Sequence, residues 1–223
     1  MREAIGQALP FAVGVAISPF PIVAVVLMLA TPRARSNGPA YLLGAIAGLA
    51  IVGTIVLLVS SGADASDEGE PATWVSVLKL ALGAALVLLA VREWRGRPRR
   101  GERTELPGWM ERVDAFRAPR AFAMGALLSG VNPKNLLLTV GGAAAIAQTG
   151  IDGGEQAIAL AVFVAIGSLG IATPVALYVV LGDRSRHVLD DLRSWMAANN
   201  AAIMAVILLL IGAKLLGDGF GGL

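Results

Sequence analysis

Six stretches of mostly apolar residues make up most of this chain, at roughly Ile5–Ala30, Ala40–Ser60, Ala72–Val91, Ala121–Gln148, Ala157–Leu181 and Ala201–Leu216. Each approaches the ~20 residues a helix needs to cross a bilayer core of ~30 Å. Hydrocarbon offers backbone N–H and C=O groups no water, and a helix satisfies them within one segment. The expected fold is therefore all-α, a polytopic membrane protein with six transmembrane helices. A mean hydropathy of +0.72 is too apolar for a soluble domain of this length. The 27 glycines suit helices that pack backbone to backbone in lipid. The first segment is too long for a secretory leader and is read as a retained helix.

Charge sets the expected orientation. Arg33 and Arg35 follow the first segment, nine arginines lie between Arg92 and Arg120, and Arg184, Arg186 and Arg193 follow the fifth. The opposite face holds only Arg2, with Asp64, Asp67, Glu68, Glu70, Asp152 and Glu155. The positive-inside rule then predicts a plasma-membrane protein with both termini outside and the Arg-rich loops in the cytoplasm. The pI is near 9.4 but the net charge is only +2, so topology rather than nucleic acid accounts for the arginines. Two cytoplasmic stretches carry apolar stripes at helical spacing: Trp109, Met110, Val113 and Phe116, then Val188, Leu189, Leu192, Trp195 and Met196. Both are expected to lie as interfacial helices in the headgroup plane.

All three lysines, Lys79, Lys134 and Lys214, lie inside apolar segments that contain no Asp or Glu, whereas all fifteen arginines lie outside. A charge at the bilayer centre costs from about 2.5 to more than 10 kcal/mol, so such residues point to function. One sign of buried charge implies a substrate that is anionic or has an anionic end. Lys79 and Lys214 sit towards the outer face and can also snorkel to water. The chain has no Cys and one His, His187, which leaves no metal site and no cofactor to expect.

The first and fourth segments are interrupted by matched motifs. Gly14-Val-Ala-Ile-Ser18-Pro19-Phe20-Pro21 recurs, 111 residues on, as Gly125-Ala-Leu-Leu-Ser129 followed by Gly130-Val131-Asn132-Pro133-Lys134-Asn135. Ser18-Pro19 and Asn132-Pro133 each place a capping residue before proline at the first helical position. A second half-helix would start there with its positive end facing mid-membrane. Three spans per copy invert the second copy, giving two inverted three-helix repeats with helices 1 and 4 broken. The repeats are residues 1–91 and 121–223, with the basic loop 92–120 between them. A proline kink in an otherwise continuous helix is the simpler alternative. Thr173-Pro174 is expected to break the fifth segment, and Ala40-x-x-x-Gly44-x-x-x-Gly48 and Gly141-Gly142-Ala143 to be helix-packing faces.

Through Ser18-Pro19-Phe20-Pro21 and Asn132-Pro133-Lys134-Asn135, with six spans and a long basic loop before the fourth, the chain resembles the LysE transporter superfamily. Within it, the closer resemblance is to the actinobacterial GAP branch, lipid-addressing proteins associated with moving glycopeptidolipids and sulfolipids to the cell surface. The resemblance implies a secondary exporter or flippase of an anionic or amphiphilic lipid or envelope precursor, not an enzyme. Candidate substrate-binding residues are Ser18, Pro19, Pro21, Ser129, Asn132, Pro133, Lys134 and Asn135, with Lys79 and Lys214 on the exit side. Export of a small solute such as an amino acid, an intramembrane lipid-modifying enzyme and an envelope scaffold are the competing readings. Membrane lipids are expected partners, and the small-residue faces are compatible with a homodimer or with packing inside one subunit.

Overall fold

The computed structural model describes residues 1–62, 66–67, 70–71, 73–96 and 116–221. Eight α-helices dominate these residues. The first interrupted segment becomes α1 (Arg2–Ala16) and α2 (Pro19–Leu29), followed by α3 (Ala34–Gly62) and α4 (Thr73–Arg95). The second becomes α5 (Ala118–Ala126), a π-turn (Leu127–Val131) and α6 (Pro133–Ala147), followed by α7 (Gly153–Leu181) and α8 (Arg186–Phe220). Between α3 and α4, Ser66–Asp67 pairs antiparallel with Glu70–Pro71.

The sequence predicts six spans. Among the described residues, Ala34–Ser60, Gly153–Leu181 and Ala198–Phe220 have the length and composition to cross a membrane, and α1 with α2, bent by 48°, makes a fourth candidate. The other two expected segments are helical but differ in kind. α4 carries Lys79 within it and Arg92 and Arg95 in its last turn. The fourth segment is divided into pieces of 9 and 15 residues on either side of the π-turn.

Glycines let the helices meet at their backbones. A Cβ on Gly44 or Gly48 of α3 would strike the Phe122 or Ala126 carbonyl of α5, and one on Gly125 would strike the Tyr41 carbonyl. In the second half, a Cβ on Gly170 of α7 would strike the Ala16 carbonyl of α1. Each half thus lays its long central helix on the first piece of the other half's interrupted segment. α4 and α8 cross where Gly83 and Gly212 face each other, each leaving the other's carbonyl about 3 Å from a would-be Cβ. Gly141 and Gly142 make room for the rings of Phe11 and Phe163. The expected packing role of these glycines holds.

Two apolar clusters stack along the helices. One gathers Phe11 of α1, Leu49 of α3, Leu86 of α4, Leu138 of α6, Phe163 of α7 and Leu208 of α8. The other gathers Met28 of α2, Tyr41 of α3, Ala121 of α5, Ile171 of α7 and Leu189 of α8. The helix breaks fall where one cluster gives way to the other.

Two expectations change. Pro174 does not break α7, which runs unbroken past it, and Thr173 Oγ1 donates to the Leu169 carbonyl (2.7 Å) beside it. Pro174 has no N–H for the Gly170 carbonyl, a loss that a helix packed among others tolerates because neighbouring groups re-satisfy the backbone. The Val188–Met196 stripe is not a separate interfacial helix either. It is the beginning of the continuous α8, since no Gly or Pro interrupts residues 186–211. Leu189 and Met196 are buried in the α2 cluster while Val188 and Trp195 stay exposed. The other interfacial stripe, at Trp109–Val113, lies outside the described residues. Its last member, Phe116, is held by Asn37, whose Nδ2 donates to the Phe116 carbonyl (3.0 Å).

Candidate functional site

The two breaks share a proline rule but not a chemistry. At the first, α1 stops at Ala16, Ile17 and Ser18 leave the helix, and Pro19 starts α2. Pro19 and Pro21 each remove an N–H from the first turn of α2. Ser18 occupies the N-cap position, but its side chain makes no capping bond, contrary to the sequence reading. Ser18, Pro19 and Pro21 are all buried. The Pro21 carbonyl accepts from the Tyr41 hydroxyl (3.1 Å), and the backbone of Tyr41 is also what abuts Gly125. Tyr41, fully buried, therefore ties one motif to the other. The sequence reading did not single it out.

At the second break, the π-turn ends with the Asn132 N–H donating to the Leu127 carbonyl five residues back (3.1 Å). Pro133 has no N–H for the next carbonyl, Leu128, so Asn135 Nδ2 donates to it instead (3.3 Å). Asn132 caps α6 as expected, its Oδ1 accepting from the Lys134 N–H (3.2 Å). Part of the anticipated anion-binding N-terminus is thus filled by the protein itself. Pro133 is exposed, Asn132 and Lys134 are half-buried, and Asn135 is buried. α1 packs on α6, and Gly14 of the first motif lies against Leu138.

A polar level runs between the two apolar clusters. Ser18, Ser129, Asn135 and Ser168 are buried, and each falls between residues of the two clusters in its own segment. Ser129 Oγ, Asn135 Oδ1 and Ser168 Oγ bond to no protein group. Asn37 Oδ1, away from this level, and Asn200 Oδ1 are likewise without a partner among the described residues, and the level holds hydrogen-bonding groups open to a further partner.

Lys134 carries the largest correction. Its Nζ lies 2.7 Å from Oε1 of Glu93, with the two side chains only 23% and 19% exposed. A carboxylate here offsets the unfavourable position of a cation in the first turn of α6. Lys214 is also paired, with Asp218 one turn on in α8, and that pair is about two-fifths exposed. The reading of unpartnered buried lysines therefore fails for two of the three. Both missed carboxylates lie two residues beyond the expected ends of their spans, Val91 and Leu216, because α4 and α8 continue past the apolar residues. Helical spacing was the available signal: Lys79, Gly83, Leu86, Ala90 and Glu93 share one face of α4.

That face orders the site. Lys134, Leu138, Gly141, Ala145 and Gln148 repeat the same spacing on α6. Glu93 meets Lys134 at one end, while Lys79 shares a narrow cleft with Gln148, Gln7, Lys214 and Asp218 at the other. The two stripes therefore run antiparallel, polar at each end and apolar between, with Leu86, Ala90 and Leu138 in the core. Fourteen residues of helix separate the ends by about 21 Å. Lys79 and Lys214, predicted as a pair on one side, do come together; Lys134 stands apart from them.

A family description of Sap, the sulfolipid-1-addressing protein, matches residues 8–221, from within α1 to the end of α8. The chain belongs to this family. Membership in the sulfolipid-1-addressing family agrees with the resemblance to lipid-addressing proteins drawn from the two proline motifs, and the match takes in both motifs and all three lysines. Comparison with curated proteins and with solved structures returns no match.

Proposed function

We propose that this membrane protein is a secondary transporter that moves an anionic, amphiphilic lipid or envelope precursor from the cytoplasmic to the outer side, with a sulfolipid-like headgroup as the leading class. The observation that carries the proposal is the half-buried Lys134–Glu93 pair at the start of a helix that begins inside the bundle. In this reading the anionic headgroup displaces Glu93 from Lys134, contacts the orphaned groups of Ser129, Asn135 and Ser168, and leaves through the Lys79–Lys214 cleft. The recurring helix pairings support the inverted-repeat, six-span arrangement of the LysE superfamily. Breaking symmetry between two such repeats would open the polar level to one side and then the other.

An ion pair that opens for substrate is energetically reasonable. Exchanging one carboxylate for another anion keeps Lys134 paired, and the displaced Glu93 must then gain water or a proton, since a buried charge left alone is costly. With the cell interior negative, each negative charge exported gains about 2.3 kcal/mol per 100 mV. The chain binds and moves its lipid without altering it. Orientation follows the arginines, with both termini outside; an impermeant thiol reagent should label Ser66→Cys but not Thr104→Cys in intact cells.

Purified protein in vesicles with a fluorescent sulfated glycolipid in one leaflet tests the function. The proposal expects the lipid to change leaflet and stay chemically intact. A modified product would mean an enzyme, and an unchanged leaflet distribution would refute transport of this class.

A further inference from the structure

Near the end of α4, its flank and that of α8 enclose a groove of about 400 Å³. Ala90 and Val91 of α4 face Val206 and Leu209 of α8, and polar groups enter only from Trp94 and Arg95. Ala90 is buried and forms the floor, while Val91, Trp94, Val206 and Leu209 are exposed along the rim. The volume falls within the ~300–1,000 Å³ of clefts that hold small ligands. Walls without hydrogen-bonding groups suit an apolar occupant. The groove follows only Ala90–Arg95, about a turn and a half of helix, which is short for docking a second protein helix. Arg95 has no carboxylate partner among the described residues, since Glu93 is committed to Lys134.

We infer that this groove is a binding site for an anionic membrane lipid, one acyl chain lying against Ala90, Val206 and Leu209 and the headgroup at the Arg95 guanidinium. A planar guanidinium pairs with phosphate or sulfate oxygens through two parallel hydrogen bonds, which a neutral headgroup cannot match. Charge complementarity at one end and an apolar wall behind it together define the ligand. Ala90 also belongs to the α4 stripe that ends at Glu93, so the bound chain lies one turn from the Lys134–Glu93 pair. The site holds lipid whether or not the chain transports it, and its test needs no transport.

Trp94 reports directly on occupancy. A variant carrying Trp74→Phe, Trp109→Phe and Trp195→Phe keeps Trp94 as its sole tryptophan. It is reconstituted in phosphatidylcholine–phosphatidylglycerol vesicles in which a minor fraction of one or the other lipid bears brominated acyl chains. Brominated phosphatidylglycerol should quench Trp94 with an apparent affinity about fivefold higher than brominated phosphatidylcholine, the preference roughly one arginine confers near a membrane. Arg95→Gln should remove that preference. Val206→Phe, which fills the groove from its exposed rim and leaves Arg95 in place, should remove it as well. Equal quenching by the two lipids in the parent protein overturns the site. So does a preference that survives Arg95→Gln, or one that survives Val206→Phe, which would reduce it to general attraction by a basic surface. Leaflet transfer measured on the same variants is a separate readout, so loss of the groove and loss of transport are distinguishable.

Discussion

The two helix breaks grew from one sequence motif and ended as different devices. At Ser18–Pro21, two prolines, a 48° bend and a hydroxyl from Tyr41 fix the geometry, and the Ser18 side chain caps nothing. At Asn132–Asn135, an asparagine caps, a second asparagine satisfies the carbonyl that Pro133 strands, and a lysine reaches a carboxylate on another helix. At both breaks a proline opens the next half-helix, although Pro174 inside α7 shows that proline alone does not stop one. The polar residues around it decide whether the stop is only a bend or also a binding surface. The first break is a structural elbow; the second adds a lysine–carboxylate pair, the group on which the proposed function rests.

That contrast can be broken at the glycines that open each motif. At Gly14, an added Cβ would meet side-chain tips, Ile207 Cγ2 and Ile211 Cδ1 at 3.1 Å and Leu138 Cδ1 at 3.2 Å, which can shift by tenths of an ångström. At Gly125 it would meet the Tyr41 backbone, which cannot. Gly125→Ala should therefore cost about 3 kcal/mol, the upper range for overpacking. Gly14→Ala should be nearly neutral, because alanine's better helix propensity offsets up to about 1 kcal/mol of crowding. Unfolding of the two variants in detergent, followed by circular dichroism, gives the comparison; equal losses would mean the breaks are equally crowded.

The caps give a smaller difference. Asn132→Ala should cost about 1 kcal/mol, since it removes the bond to the Lys134 N–H. Ser18→Ala should change stability by less than about 0.5 kcal/mol, because the side chain makes no capping bond. The same unfolding measurement decides it. A larger loss at Ser18 would show that its hydroxyl has a role the first break has not revealed.

Much of this was legible in the residues. Apolar length gave helices, and proline after a capping residue gave both breaks at the right positions. Small residues at four-residue spacing marked the α3–α5 contact. What escaped were features that hydropathy does not carry. Glu93 and Asp218 were missed because a helix does not end where its apolar residues end, so a carboxylate just beyond a span still faces the bundle. Pro174 looked like a break because the sequence does not show that α7 is held on both sides of it. Val188–Met196 looked interfacial because an amphipathic stripe reads the same against lipid as against α2. The role of Tyr41 depends on where a backbone carbonyl and a hydroxyl point, which no spacing reveals.

The central claim is that Lys134 serves a passing anion and that Glu93 holds its place between cycles. Transfer of a sulfated glycolipid in proteoliposomes, measured for Lys134→Ala and for the exchange of Lys134→Glu with Glu93→Lys, tests it most directly. Removing one partner of a fully buried pair costs about 3–5 kcal/mol, and less for a pair about one-fifth exposed, so folding and insertion are checked on each variant. The account predicts no transfer by Lys134→Ala and none by the exchanged pair, which restores the ion pair but puts a carboxylate where the headgroup must bind. Near-normal transfer by either would contradict it: by Lys134→Ala, because no cation would be needed, and by the exchange, because the pair would be a structural tie alone.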